Sequence, residues 1–496
     1  MRRLFFSVLV ATVAITGTVY AQYAGDAIKF SQFNYGSSAR FKAMGGAQIG
    51  VGGDISSLSG NPAGLGLFTR SEFTLSPEFN HNSIDSRYFD QGYNTTKMSP
   101  NLGQVGAVFY LPAYRARNTS NGQKGIISFV TGVGYSRTAD FNGDFVYGGK
   151  NPNNSFADYF AEQAGSVAPA NLAEGSLQDW AYQNYLISYD NSGYYFPETF
   201  VNNMQKSDEV RKGGSSELNF SAAINVSNQL YIGAAVNYVN LRYTRDAFFT
   251  ESGTARGYTA GGVLTGTNAP YKFVFGQSQT TTGEGFSGRL GVIFRPVPEF
   301  RIGATIQTPT WLEITDSYTE SLDNRGTTNG TNNATTYDFL YRLRTPLKGS
   351  MGASYVIGNV ALLSADLDYV DYTTTHISDP YTYETELVNN NNADLRTNYQ
   401  EAINFRLGGE IKISNISLRG GYAYNGSPFK DQDDLYTQVY TGGLGFRVKN
   451  YSVDLAYMRM DTQTTFTPYS LVNGTTPVAD LTTARNSAML TVGVRF

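Results

Sequence analysis

The chain has 496 residues, a formal charge of −4, 16% charged side chains and no cysteine, with 53 Gly, 36 Tyr and 31 Phe. Abundant aromatics at low net charge exclude disorder, the weak acidity leaves no footprint for nucleic acid, and disulfides and thiolate metal sites are impossible. Beyond the N-terminus no apolar run approaches the ~20 residues of a spanning helix, so a length fit for two or three soluble domains reads instead as a Gly- and Tyr-rich β protein.

Arg2 and Arg3 precede the apolar stretch Leu4 to Ile15, and Val19-Tyr20-Ala21 supplies small residues at cleavage spacing. Residues 1–21 therefore read as a secretory signal peptide. Residues 22–70 do not alternate. They are rich in Gly and Ala: Ala39-Arg-Phe-Lys-Ala-Met-Gly-Gly-Ala47, then Gly50, Gly52 and Gly53, then Asp54, then Asn61-Pro62-Ala63-Gly64-Leu65. Such a stretch is too long for a tail and too short for a core of its own. It can be stable inside a barrel, where Gly lets the backbone approach the wall. A phosphate loop does not fit, because no strand leads into the glycines and no Lys-Ser/Thr follows.

From residue 71 the chain alternates with period two. Leu218, Phe220, Ala222, Ile224 and Val226 oppose Glu217, Asn219, Ser221, Ala223 and Asn225, and the chain ends on Leu490, Val492, Val494 and Phe496. One apolar face and one polar or small face suit lipid outside and a wet or plugged lumen inside. Tight connections at Ser227–Gln229, Pro296–Glu299, Ile357–Val360, Ser414–Ile416 and Lys449–Tyr451 alternate with long ones near 81–101, 138–214, 247–281, 316–336, 377–397, 427–435 and 466–484. Short periplasmic turns and long extracellular loops alternate in this way. The connection 113–123 is the one long member of the short set. About fourteen strands result: 71–80, 102–112, 124–137, 215–227, 229–246, 282–296, 299–315, 337–358, 360–376, 398–414, 416–426, 436–449, 451–465 and 485–496. The fold class is all-β: a transmembrane antiparallel β-barrel over 71–496, an N-terminal hatch (22–70) in its lumen, and short helices in the large loop 138–214.

Several of these segments resemble a known family. The Ala39–Ala47 stretch, Asp54 and Asn61–Leu65 resemble the N-terminal hatch of the outer-membrane FadL/TodX transporters of hydrophobic compounds. Phe300-Arg-Ile-Gly-Ala304 with Thr308-Pro309, Leu343-Arg-Thr-Pro346 with Gly352-Ala-Ser-Tyr355, Leu362 to Tyr372, and Gly443-Leu-Gly-Phe446 resemble its strands. The resemblance spans essentially the mature chain. It implies a cell outer membrane location, a fourteen-stranded plugged barrel, and a hydrophobic ligand, with long-chain fatty acids foremost. It also implies a surface site, an internal site, and a hatch movement releasing ligand sideways into the bilayer at a kinked third strand. That strand is 124–137 here, where Gly132 and Gly134 permit a kink. Some relatives with this architecture serve protein secretion, so a structural or shuttle role is the alternative.

Only His81 and His376 are available, both in or beside extracellular loops, so the chain is not read as an enzyme and no cofactor or metal is expected. The expected partners are hydrophobic small molecules or fatty acids, outer-membrane lipid and lipopolysaccharide, around a monomeric barrel. Arg289, Arg301, Arg344, Asp366, Asp368, Arg406, Glu410, Arg419, Asp454 and Arg495 fall on inward faces. They either lock hatch to wall or leave one Arg to receive a substrate carboxylate. In the loop 138–214, Ser155, Ser176 and Pro197 open stretches with helical spacing. Their apolar residues, Phe156, Phe160, Trp180, Tyr185, Phe200 and Met204 among them, either pack on each other or form a greasy landing groove for ligand.

Overall fold

The computed structural model describes residues 19–32, 36–113, 124–258, 263–324, 332–358, 360–381, 384–432 and 434–496. The expected signal peptide lies outside the described residues except for its last three positions, as does most of the 113–123 connection. Helix α1 (Val19–Ser31), helix α2 (Ala39–Lys42) and two 3-10 turns, Ile55–Leu58 and Pro62–Leu67, precede the sheet. Strands β1 (Glu72–Tyr88), β2 (Gln91–Pro112), β3 (Ile126–Asp140) and β4 (Gly143–Asn151) follow. Next come α3 (Phe156–Ala164), α4 (Leu177–Gln183) and a small ribbon of β5 (Ile187–Tyr189) with β6 (Tyr195–Pro197). The chain returns to the wall with β7 (Asn203–Val226), β8 (Leu230–Tyr258), β9 (Leu264–Val297), β10 (Phe300–Gln307), β11 (Trp311–Asn324) and β12 (Asn332–Arg344). Then come β13 (Lys348–Ile357), β14 (Ala361–Asp371), β15 (His376–Ser378) and α5 (Thr385–Asn398). Strands β16 (Glu401–Ile413), β17 (Ile416–Asn425), β18 (Thr437–Val448), β19 (Tyr451–Phe466) and β20 (Ala479–Arg495) complete it.

Strand β1 pairs with both β2 and β20, which closes an antiparallel ring of fourteen: β1, β2, β3, β7, β8, β9, β10, β13, β14, β16, β17, β18, β19 and β20. Closure leaves the sheet without an edge. These fourteen coincide with the fourteen expected segments, with two kinds of difference. Three expected strands are broken in two. The segment 299–315 divides at Thr308–Thr310, 337–358 at Thr345–Leu347, and 360–376 at the 3-10 turn Tyr372–Thr374. Pro309 and Pro346 lack the N–H a ladder needs. Threonine hydroxyls accept in the missing places: Gly288 N donates to Thr308 Oγ1 at 2.8 Å and Thr310 N to Thr345 Oγ1 at 2.9 Å.

The second difference is that several expected loops are strand. β1 and β2 stay paired up to Tyr88↔Gln91, and β8 and β9 up to Tyr258↔Leu264, so 81–101 and 247–281 are mostly tall hairpins. These stretches rise past the lipid, so water replaces lipid on their outer face and the apolar alternation that marks a membrane strand disappears.

The lipid-facing surface is bracketed by aromatics. Outward Leu290, Ile302, Met351, Leu363, Leu407 and Leu455 form an apolar band. Exposed Phe286, Trp311, Tyr369, Tyr440 and Tyr457 border it on the side of the tall hairpins, the upper side here, and Phe294, Tyr355, Phe446 and Tyr451 on the side of the short turns. Two girdles around an apolar belt are what a bilayer imposes on a barrel.

The N-terminal segment fills the lumen. Wall glycines make room for it: at Gly233, Gly291, Gly303, Gly352, Gly408 and Gly421 an added Cβ would come within 3 Å of this segment. At Gly303 the atom met is Ile49 O, 2.1 Å away, and at Gly421 it is Gly45 N, 2.2 Å away.

Candidate functional site

The floor of the lumen is built by residues 39–67. Asn61 caps the turn Pro62–Leu67: its Oδ1 accepts from Ala63 N at 3.1 Å, while its Nδ2 donates to Ile49 O at 2.8 Å and Val292 O of β9 at 3.2 Å. One amide side chain thus ties two turns to the wall. Asp54 Oδ1 accepts from Ser56 N at 3.0 Å, Ser56 Oγ at 2.8 Å and Ser38 Oγ at 2.8 Å. Gly64 packs against Gly52, with Gly53 N donating to Gly64 O at 2.9 Å. The candidate hatch residues Asp54, Asn61, Pro62, Ala63 and Gly64 therefore stand together as internal braces.

Charges join this floor to the wall. Arg40 meets Glu410 with two hydrogen bonds, 3.0 and 3.1 Å, and Arg419 bridges Glu410 at 2.7 Å to Asp454 at 2.6 Å. Asp366 Oδ2 accepts the backbone N–H groups of Gln48 (2.7 Å) and Ile49 (2.9 Å), and Arg301 donates to Val51 O at 2.6 Å. Arg406 holds Asp368, Arg289 reaches Glu217, and Arg495 reaches Glu72. Arg344 departs from the expectation: it is exposed on the outer face. Buried positions above the break are odd (Phe339, Tyr341, Leu343) and below it even (Ser350, Ser354), so the three residues 345–347 reset the phase.

Above the floor lies an apolar chamber filled by α1, an element the sequence reading missed. Tyr23, Ala24, Ala27, Ile28 and Phe30 are all at most 3% exposed. They pack on Leu241 and Tyr243 of β8, Leu312 and Ile314 of β11, Phe339 and Tyr341 of β12, and Leu387 and Leu395 of α5. Asn391 Oδ1 of α5 accepts from Ala24 N at 2.8 Å. A polar seam seats the helix. Gln279 Nε2 bridges Asp26 at 2.8 Å and Asp316 at 3.1 Å, and Lys29 pairs with Asp26 at 2.7 Å.

Asp316 lies above the upper girdle. Burial, reinforced by nearby Asp26, pushes its carboxyl up to about 6 against the opposing hydrogen bonds of Thr281 and Gln279. The value lies above the ~4 of an unfolded carboxylate, so the seat is firmest with Asp316 protonated and loosens as pH rises through about 6. The protection of the amides of residues 24–31, taken relative to the intrinsic exchange rate at each pH, should therefore fall between about pH 4 and about pH 7. Asp316→Asn should remove that pH dependence of protection; an unchanged dependence in the variant would refute the assignment.

The mouth carries a cap. Phe156, Phe160 and Trp180 share one buried cluster with Phe249, Phe273 and Tyr469, and the Phe156 ring lies 4.8 Å from Tyr469 and 5.0 Å from Phe249. Tyr185 stacks on Tyr258 at 4.9 Å, at the edge of this cap. Phe200 and Met204 are exposed and do not join the others. The third expected helix does not form, because from Asn203 the chain is β7, with Asn203, Gln205, Ser207 and Glu209 buried between β4 and β8. Sequence reasoning also missed Glu251 beneath α3. Its carboxylate accepts from Ser155 Oγ, Phe156 N (2.8 Å), Gln205 Nε2 (2.6 Å) and Tyr271 OH (2.7 Å), and burial pushes its pKa up.

The wall parts between β2 and β3. β3 pairs with β2 from Pro112↔Ser128 only to Gln104↔Ser136. Above that point β2 keeps β1 alone, while β3 hands over to β4, which pairs with β7. Side chains span the space instead: Asn101 Nδ2 to Asp140 (3.2 Å), Asn82 Nδ2 to Asn142 O (2.5 Å) and Lys97 Nζ to Asp144 (2.5 Å). Gln104 and Ser136, fully buried at the lower corner, have no hydrogen-bond partner for their side chains among the described residues. Gly132 and Gly134 lie below, in unbroken ladders to β2 and β7, and their missing side chains accommodate Leu58. The pairing shifts at Arg137/Ala139.

A fourteen-strand barrel closed around its own N-terminal segment is the fold of the FadL/TodX outer-membrane channels. The Pseudomonas putida toluene transporter TodX matches over 93% of this chain and 99% of its own, at TM-score 0.52 and 15% identity. A Pseudomonas aeruginosa FadL homologue matches over 94% and 100%, at TM-score 0.53 and 11% identity. The CymD monoaromatic hydrocarbon channel matches over 94% and 99%, at TM-score 0.52 and 13% identity. No protein-family model and no curated sequence matches the chain.

Proposed function

We propose that this protein passes hydrophobic compounds through the outer membrane, with residues 22–70 as its hatch and the β2–β4 parting as its sideways exit. The observation that carries this reading is the chamber of aromatic and aliphatic walls under the cap, sealed below by buried ion pairs. An apolar solute that takes the place of α1 against these walls is buried there but finds no apolar path downward. The parting offers a way out to the side, because the side-chain contacts that span it can open without breaking a ladder. The transport roles of the structural neighbours, toluene for TodX and monoaromatic hydrocarbons for CymD, agree with this class of substrate.

Long-chain fatty acids are the substrate proposed first. Glu209, above the girdle, is shared by Arg211 and Arg245 at 2.5 and 3.0 Å, and the two arginines hold it down to about 2 against burial. Two cations on one carboxylate leave a positive charge beside the chamber for an acidic head group. Replacing Asn61 and Pro62 together should lower uptake of labelled oleate into cells while the barrel still folds. If neither oleate nor toluene uptake responds, the reading fails. Recovery of secretion components with the purified protein, without bound lipid, would favour the shuttle role instead.

A further inference from the structure

The outer surface carries a site that transport through the lumen does not use. On the lipid-facing side of β9, β10, β13 and β14, directly below the broken strands, lies an apolar concavity of about 550 Å3. Leu290, Ile306, Met351, Leu367 and Tyr369 line it, and at Gly349 an added Cβ would meet nothing within 4 Å.

Directly above the break, one line of cross-strand pairs on the outer face runs Phe286, Trp311, Arg344, His376. Phe286 and Trp311 belong to the upper girdle, 59% and 56% exposed. Aromatic girdles sit at the head-group level, so the cations that continue the line sit there too. Arg344 makes a single long hydrogen bond, 3.4 Å to Thr374 O, and neither it nor Arg396 of α5 has a carboxylate partner among the described residues. Asn392 of α5 accepts from Ile377 N at 2.9 Å and donates to Ile377 O at 2.8 Å, which holds the helix turn that carries Arg396 against β15 next to His376. The neighbouring Arg342 is already paired with Glu313 at 3.4 Å, and Asp371 with the N–H and hydroxyl of Thr373.

We propose that Arg344 and Arg396, beside His376, bind a phosphate of an acylated, phosphorylated glycolipid of the outer leaflet, and that one of its acyl chains lies in the Gly349 concavity. Charge selects this occupant: unpaired guanidinium groups at head-group level prefer phosphate, which takes two N–H bonds at once. An acyl chain fits the apolar hollow below, so head and tail are recognised by adjacent surfaces. The inference needs only the outer-membrane part of the functional proposal and does not depend on transport.

The test is lipid retention. Delipidated protein in mild detergent is mixed with lipid A or with lipid A stripped of its phosphates, and bound lipid is counted by native mass spectrometry. Wild type should retain lipid A, and Arg344→Gln with Arg396→Gln should weaken retention about tenfold. Gly349→Phe, which fills the hollow and leaves the cations intact, should also lower it. Arg459→Gln, an exposed arginine on β19, should not. Heat-modifiable gel mobility confirms that each variant is folded. Equal retention by the double variant, or equal retention of phosphate-free lipid by wild type, overturns the site. Oleate uptake should be unchanged in every one of these variants, so failure here and failure of the transport reading are told apart.

Discussion

Gly421→Val is expected to expel the N-terminal segment from the lumen while the barrel stays closed. The added Cβ would stand 2.2 Å from Gly45 N and 2.3 Å from Met44 C, and Gly303→Val meets Ile49 O at 2.1 Å in the same way. Overpacking usually costs about 1–3 kcal/mol where a side chain can yield. Here both sides of the contact are backbone, one of them fixed in a closed ladder, so the cost should reach or exceed about 3 kcal/mol per site. Limited proteolysis should cut the variant within residues 36–70 while its folded barrel band persists on a gel. Gly420→Val is the control one residue away. Its Cβ would point outward and meet nothing nearer than 4.0 Å, and it should leave the segment protected. Protection in both variants would show that the glycines do not set the fit.

The second large effect is expected from Glu410→Ala. Glu410 is 2% exposed and receives both Arg40 of the N-terminal segment and Arg419 of the wall. Its loss strands the largely enclosed Arg40, 16% exposed, without its carboxylate partner, whereas Arg419 keeps Asp454 at 2.6 Å. Breaking one side of a buried pair costs about 3–5 kcal/mol, chiefly for the charge left behind. Hydrogen exchange should rise in residues 39–47 and stay slow in β16 and β17. Removing Arg40 as well should recover part of the loss, since no charge is then stranded. A double variant looser than Glu410→Ala would contradict that account. Lys412, half exposed and 3.9 Å from Glu410, should matter little when replaced.

The wall was legible because membrane strands repeat a two-residue pattern with lipid on one side, as in Leu218 to Val226. The pattern fades where water meets both faces, and so the upper halves of β1, β2, β8 and β9 read as loops. Arg344 was misplaced because alternation cannot count across Thr345-Pro346-Leu347, where the chain advances without keeping its phase. Asp54 and Asn61 were visible as polar residues in a Gly-rich stretch. The wall and helix partners of the N-terminal segment were not: Val292 for Asn61, Asp366 for Gln48 and Ile49, Glu410 for Arg40 and Asn391 for Ala24 lie hundreds of residues away, and only closure of the barrel brings them near. Helix α1 was hidden because its first residues fall in the segment that reads as a cleavage signal. Glu251 left no sign beyond one acidic residue in a polar strand.

The N-terminal segment also dictates an order of assembly. Ala24 N finds its acceptor 367 residues later in the chain, and Ala39 N donates to Thr491 Oγ1, 452 residues later. The N-terminal segment is thus the last part of the fold that can settle, because its seat does not exist until β20 has met β1. Contacts so distant in sequence are slow to form. Until the ring shuts, this glycine-rich segment has no seat, and it must be enclosed by the wall as it closes, like a passenger around whom the vessel is built.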